Sequence, residues 1–159
     1  WEDVWFFPEH PKRNGVKGYM GTQNILFLSI NPSTGGGVFP DKFCKWYYEQ
    51  LKKNGFANAH LTDVFKQRAK KWENLDKDKK LKNEAKNFLR KEIDIIRPKL
   101  IVYVGKGKKY KKLYDEVLGN RNVEKIIITH YAFRYGSDQK LRAQIRKEIR
   151  RVKVKYKNI

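Results

Sequence analysis

Apolar residues come along this chain either in short unbroken runs or at helical spacing, and the two patterns alternate from residue 24 onward. The run at residues 25–30 stops at Asn31-Pro32 and opens into Ser33, Thr34 and three glycines, Gly35, Gly36 and Gly37. This is the pattern of a buried strand whose C-terminal end meets a loop. Pro32 biases Asn31 toward extended backbone, and the glycines permit close approach to a ligand. Phe43, Trp46, Tyr47 and Leu51 then recur at helical spacing, with Asp41 placed as an N-cap, until Asn54-Gly55 ends the segment. Residues 59–65 read as a second short strand, and residues 66–82 as an exposed basic connector anchored by Trp72 and Leu75.

Ala85, Phe88, Leu89, Ile93 and Ile96 line one face of a helix that Pro98 ends, and residues 99–104 form a third strand closed by Gly105-Lys106-Gly107. Tyr110, Leu113, Tyr114, Val117 and Leu118 share a helical stripe. Residues 123–129 make a fourth strand ending at His130, and Leu141, Ile145, Ile149 and Val152 mark a final, very basic helix. Strands joined by helices through short right-handed crossovers build a parallel sheet covered on both faces. The fold class is therefore α/β, a three-layer α/β/α sandwich around a four-stranded parallel sheet. Asn31, Asp63, the glycine turn at 105 and His130 each follow a strand, so they gather at the edge where open α/β sheets bind ligands. Residues 1–22 carry Trp1, Trp5, Phe6 and Phe7 without clear periodicity and read as an aromatic-rich extension of one domain filling 1–159.

Composition sharpens this. A chain of 159 residues, 40% hydrophobic and 14% aromatic, suffices for one domain with a real core. The single Cys44 excludes an intrachain disulfide framework and a Cys-ligated zinc or iron–sulfur site within one chain. No apolar run is long enough to span a membrane, and Trp1-Glu2-Asp3-Val4 lacks the layout of a signal peptide, so the expectation is an intracellular protein of cytoplasm or nucleoid. A monomer is expected. Thirty-seven Lys and Arg against seventeen Asp and Glu give a formal charge of +20, for which nucleic acid is the natural partner. Genome base composition or a high growth temperature, as in a thermophile, would also enrich Lys, Asn, Ile and Tyr.

Ser29-Ile-Asn-Pro-Ser33, the glycine loop with Phe39, Lys42-Phe-Cys-Lys-Trp-Tyr-Tyr, Leu61-Thr-Asp-Val-Phe-Lys, Arg97-Pro-Lys-Leu-Ile-Val-Tyr-Val-Gly105 and Ile128-Thr-His130 follow one another in order. Together they resemble the motifs of the uracil-DNA glycosylase superfamily. The mismatch-specific uracil/thymine branch is closest, because its first motif has the same Asn-Pro after a strand. The likeness spans roughly residues 24 to 150. It implies a monofunctional DNA glycosylase of base excision repair, which hydrolyses the N-glycosidic bond of uracil or another damaged base after flipping the nucleotide out of the duplex. No metal or cofactor is implied. No lysine stands in the matched motifs as a Schiff-base nucleophile, so strand cleavage should not accompany excision.

The resemblance assigns Asn31 the orientation of the attacking water. His130, with backbone N–H groups near Ile30 and Asn31, would stabilise the leaving base, an anion that needs donors more than a strong acid. Ser33 falls among the substrate-binding positions. Phe39 matches the aromatic that stacks on the flipped base, or else packs in the core. Asp63 stands where some branches read the base edge with an amide. As a carboxylate it suits an N–H such as uracil N3, assists the water, or caps the following segment. Lys66, Arg68, Lys106 and Lys108, with Arg142, Arg146, Lys147, Arg150 and Arg151 of the last helix, are candidates for the DNA backbone or for a solvated face. Phe133 and Arg134 follow where relatives carry the wedge that fills the vacated base stack. Relatives have His-Pro-Ser or Asn-Pro-Ser at the second catalytic motif, and this chain departs from them with His130-Tyr131-Ala132. Two other classes fit the same pattern: a non-catalytic nucleic-acid-binding module, and an α/β enzyme holding a nucleotide or sugar phosphate at the Gly105 turn.

Overall fold

In the computed structural model the described residues are 21–31, 42–67, 69, 71–131 and 138–159, with backbone alone for 42–44. The aromatic-rich start, the glycine loop with Ser33 and Phe39, the Asp41 cap, Arg68, Lys70, and Phe133 with Arg134 lie outside them. The apolar runs become four strands: β1 (Ile25–Ser29), β2 (His60–Asp63), β3 (Leu100–Val104) and β4 (Glu124–Ile128). They form one sheet, parallel throughout, in the order β2-β1-β3-β4.

The central strands explain why their sequences do not alternate. Ile25 to Leu28 and Leu100 to Val104 are all buried, because helices cover both faces of the sheet. Ile25, Phe27, Leu100, Val102, Val104 and Ile128 pack with Tyr47 and Leu51 of α1 (Lys42–Lys53) and Ile145, Ile149 and Val152 of α5 (Asp138–Lys157). Leu26, Leu28, Ile101 and Tyr103 pack on the other side, against α3 (Lys79–Ile96) and α4 (Lys108–Leu118). The three-layer α/β/α sandwich expected from the sequence is thus the observed fold. At the sheet margin, β4 exposes Glu124 and Lys125, charges that discourage pairing with another chain.

The connector at 66–82 departs from expectation. It holds a short helix, α2 (Trp72–Lys77), and α3 begins within it, at Lys79. Asp78 sets that start: its carboxylate accepts the N–H of Leu81 at 3.0 Å, an N-cap the apolar periodicity does not reveal. Among the described residues no helix is long and apolar enough to cross a membrane.

Candidate functional site

The sheet order reverses at β1, because the chain leaves β1 for β2 on one side and later lays β3 on the other. The carboxyl ends of β1 and β3 therefore flank a topological switch point, the usual ligand crevice of an open α/β sheet. Asn31 lies two residues past the end of β1. Its backbone is set by pairing that outlasts the strand: the carbonyls of Ser29 and Ile30 accept the N–H groups of Val64 and Phe65 at 2.9 and 2.8 Å. Asn31 Nδ2 donates to the carbonyl of Ala69 at 3.2 Å. With the donor end of the amide tied there, the orientation of its acceptor end, Oδ1, is fixed as well.

Asp63 ends β2, in register with Ser29, and is buried. Burial, and then the negative charge of Asp63, hold the Tyr114 phenol well above its ordinary pKa. Tyr114 stays a donor and gives its hydrogen to the carbonyl of Val104 at 3.0 Å, at the end of β3. The turn that follows needs glycine: Gly105 and Gly107 have φ of 140° and 136°. The N–H of Gly105 donates to Ile128 at 2.9 Å, which ties the ends of β3 and β4 together. Lys108 and Lys109 stand exposed at the start of α4.

Lys66, expected at the DNA backbone, is engaged within the protein. Its ammonium donates to Thr62 Oγ1 at 2.5 Å, to the carbonyl of Asp63 at 2.8 Å and to Glu92 Oε2 at 2.7 Å. An ammonium has three donors, so none remains for a phosphate. It also lies 5.5 Å from the centre of the Phe88 ring, and serves as a strut between β2 and α3. Of the candidates on α5, Arg151 donates to the carbonyl of Ile127 at 2.9 Å and Arg142 lies 5.2 Å from the Trp46 ring centre. Arg146, Lys147 and Arg150 are exposed.

His130 is half-buried two residues beyond β4. Its ring stacks on Tyr131 with centroids 4.4 Å apart, and Tyr131 stacks on the buried Tyr47 of α1 at 4.8 Å. The residue directly after the histidine is thus an aromatic ring docked on another. The residue before His130, Thr129, is held by a carboxylate the motifs do not reveal. Glu148 of α5 is 2% exposed. Its Oε2 accepts the N–H of Thr129 at 2.6 Å, while Oε1 accepts the Thr129 hydroxyl at 3.2 Å, Gln144 Nε2 at 2.6 Å and the ammonium of Lys106. Burial favours the neutral acid, but Lys106, the Thr129 N–H and Gln144 outweigh it and hold the carboxyl below its ordinary pKa. Glu148 is thus an anion at neutral pH. One sequence signal for it exists: it shares the buried stripe of Ile145, Ile149 and Val152 on an otherwise basic helix.

The parallel topology brings Asn31, Asp63, the Gly105 turn and His130 to one edge of the sheet. Ser33, Phe39, Arg68, Phe133 and Arg134 fall outside the described residues. Among the described residues no group of three or more His, Cys, Asp or Glu could hold a metal ion. The edge offers an oriented amide, an imidazole stacked on Tyr131, and backbone N–H groups, a set able to orient a water and to donate to an anion.

A family model described as "Protein of unknown function (DUF1643)" matches residues 17–140, which is most of the chain. No curated protein matches it.

Proposed function

We propose that this chain, which belongs to the DUF1643 family, is a monofunctional DNA glycosylase that removes uracil, or a related deaminated or damaged base, from DNA. The observation that carries the reading is Asn31: an amide at the switch point of the sheet, with its donor end anchored on the Ala69 carbonyl, at the edge it shares with His130. In the reaction the nucleotide is flipped out of the stack and the bond from C1′ to uracil N1 breaks, its electrons leaving with the base. Positive charge develops on the sugar. A water oriented by Asn31 Oδ1 then adds at C1′, and the proton it loses passes, directly or through solvent, to the departed uracil anion, leaving an abasic sugar and neutral uracil. Because bond breaking runs ahead of attack, an amide suffices where a strong base would otherwise be needed. His130 and backbone N–H groups donate to the oxygens of the departing anion.

The formal charge of +20 supports a polyanionic substrate. Lys108, Lys109, Arg146, Lys147 and Arg150 are exposed and suit contact with phosphates on either side of the flipped nucleotide. In this reading the motif resemblance assigns Phe39 to stacking on the base and Ser33 to substrate binding.

The test uses excess protein on labelled duplexes carrying one uracil opposite guanine or adenine, followed by alkali to cut abasic sites. Wild type yields cleavage, and Asn31→Ala lowers the single-turnover rate by about 10²–10⁴-fold with duplex binding retained. The replacement of Pro-Ser by Tyr131-Ala132 favours one other reading, a non-catalytic nucleic-acid-binding module on the same fold. Binding with no excision from duplexes carrying uracil, thymine mismatches, hypoxanthine or alkylated bases would decide for it.

A further inference from the structure

We infer that Glu148 is a positioning residue of this site: from α5 it holds the Thr129–His130 backbone after β4 and the Lys106 ammonium after β3 in fixed relation to each other. Four donors converge on its two oxygens, two from Thr129 and one each from Gln144 and Lys106. The Thr129 N–H belongs to the residue directly before His130, so the carboxylate sets the path on which the imidazole is carried. Lys106 is half exposed, so its ammonium can meet Glu148 and still present hydrogens to solvent or phosphate. The stack of His130 on Tyr131 and of Tyr131 on Tyr47 fixes the ring plane but not the backbone before it. Glu148 supplies that second constraint. A carboxylate is required, because both oxygens must accept. In an amide one of the two positions becomes NH₂, and it would face either the Thr129 N–H or the cluster of Gln144, Lys106 and the Thr129 hydroxyl. The consequence for base excision rests on the glycosylase reading; the positioning itself does not.

The experiment follows His130 by NMR and excision by single turnover in wild type and Glu148→Gln. In wild type the imidazole ring protons carry the upfield displacement expected from stacking on Tyr131, and the Thr129 amide proton lies downfield from its bond to an anion. In Glu148→Gln both move toward unstructured values, and the excision rate falls about tenfold to a hundredfold with duplex affinity unchanged, the scale of a misplacement near 1 Å. Glu116→Gln breaks pairs with Lys82 and Lys86 on the opposite helical layer and leaves the His130 signals where they are. Should Glu148→Gln fail to fold, Thr129→Val removes only the hydroxyl contact and shifts the same signals by less. Unmoved His130 and Thr129 signals in a folded Glu148→Gln, or unmoved His130 signals in Thr129→Val where that variant stands in, would overturn the inference. If the signals move but the wild type excises no base, Glu148 is a positioning residue and the glycosylase reading is the one that fails.

Discussion

Lys66 stands at the start of a stretch dense in Lys and Arg, yet its three donors are all satisfied within the protein. Both it and Glu92 keep little contact with water, at 12% and 13% side-chain exposure. Removing one partner strands the other charge in a poorly hydrated place. Lys66→Met should therefore lower the unfolding free energy by about 2–3 kcal/mol, below the range for a fully buried pair because some hydration remains. Urea denaturation would register this as a lower midpoint at unchanged slope, while duplex affinity should stay as it is. A matching loss of DNA binding in folded protein would return Lys66 to the surface. The placement of Asn31 and His130 just past strand ends is legible in the sequence because an apolar run that stops at a polar residue is a local signal. The roles of Lys66, Glu148 and Tyr131 are not, since they depend on Glu92, Thr129 and Tyr47, partners distant in the chain.

At the scale of elements, legibility followed burial. The strands read correctly because Ile25 to Leu28 and Leu100 to Val104 are buried on both faces and leave continuous apolar runs. The first turns of α3 passed as a loop because Lys79, Lys80, Asn83 and Glu84 face solvent and carry no periodicity. α2, with six residues, is too short to show one. The end of α3 stores a small strain. Arg97, whose N–H closes on the carbonyl of Ile93 at 2.8 Å, takes up the left-handed conformation, φ 48° and ψ 55°, and so turns the chain out of the helix before Pro98. A side chain in this region costs about 1–2 kcal/mol relative to right-handed backbone, and glycine escapes most of it. Arg97 is exposed, so little packing is lost with it. Arg97→Gly should raise stability by about 0.5–1 kcal/mol, after the added freedom of the unfolded chain is counted, and an unchanged or lowered urea midpoint would refute this.

For the whole molecule the governing quantity is charge. On the proposed function, duplex binding should weaken steeply with salt, as displaced counterions return to the DNA, and the slope on logarithmic axes counts the phosphates engaged. Arg146 and Arg150 are exposed on one helix whose neighbouring cations Arg151 and Lys155 are held by Ile127 and Glu124. The double substitution Arg146→Ala and Arg150→Ala should make the slope shallower by about 2, read by fluorescence anisotropy across a salt series. An unaltered slope would mean that α5 faces away from the DNA.

β1 is an interior strand, paired with β2 on one side and β3 on the other. A ribosome delivers these partners at different times. The nascent chain can zip Leu26 to Ser29 against His60 to Asp63 early, but the opposite margin of β1 stays open until Leu100 to Val104 has been synthesised. At about 5–20 residues per second that interval lasts seconds, with a bare and strongly apolar strand available to any other nascent chain. The stretch made during the wait includes the Lys- and Arg-rich residues around α2, whose like charges oppose association of half-built chains. On this view part of the positive charge serves the synthesis of the protein.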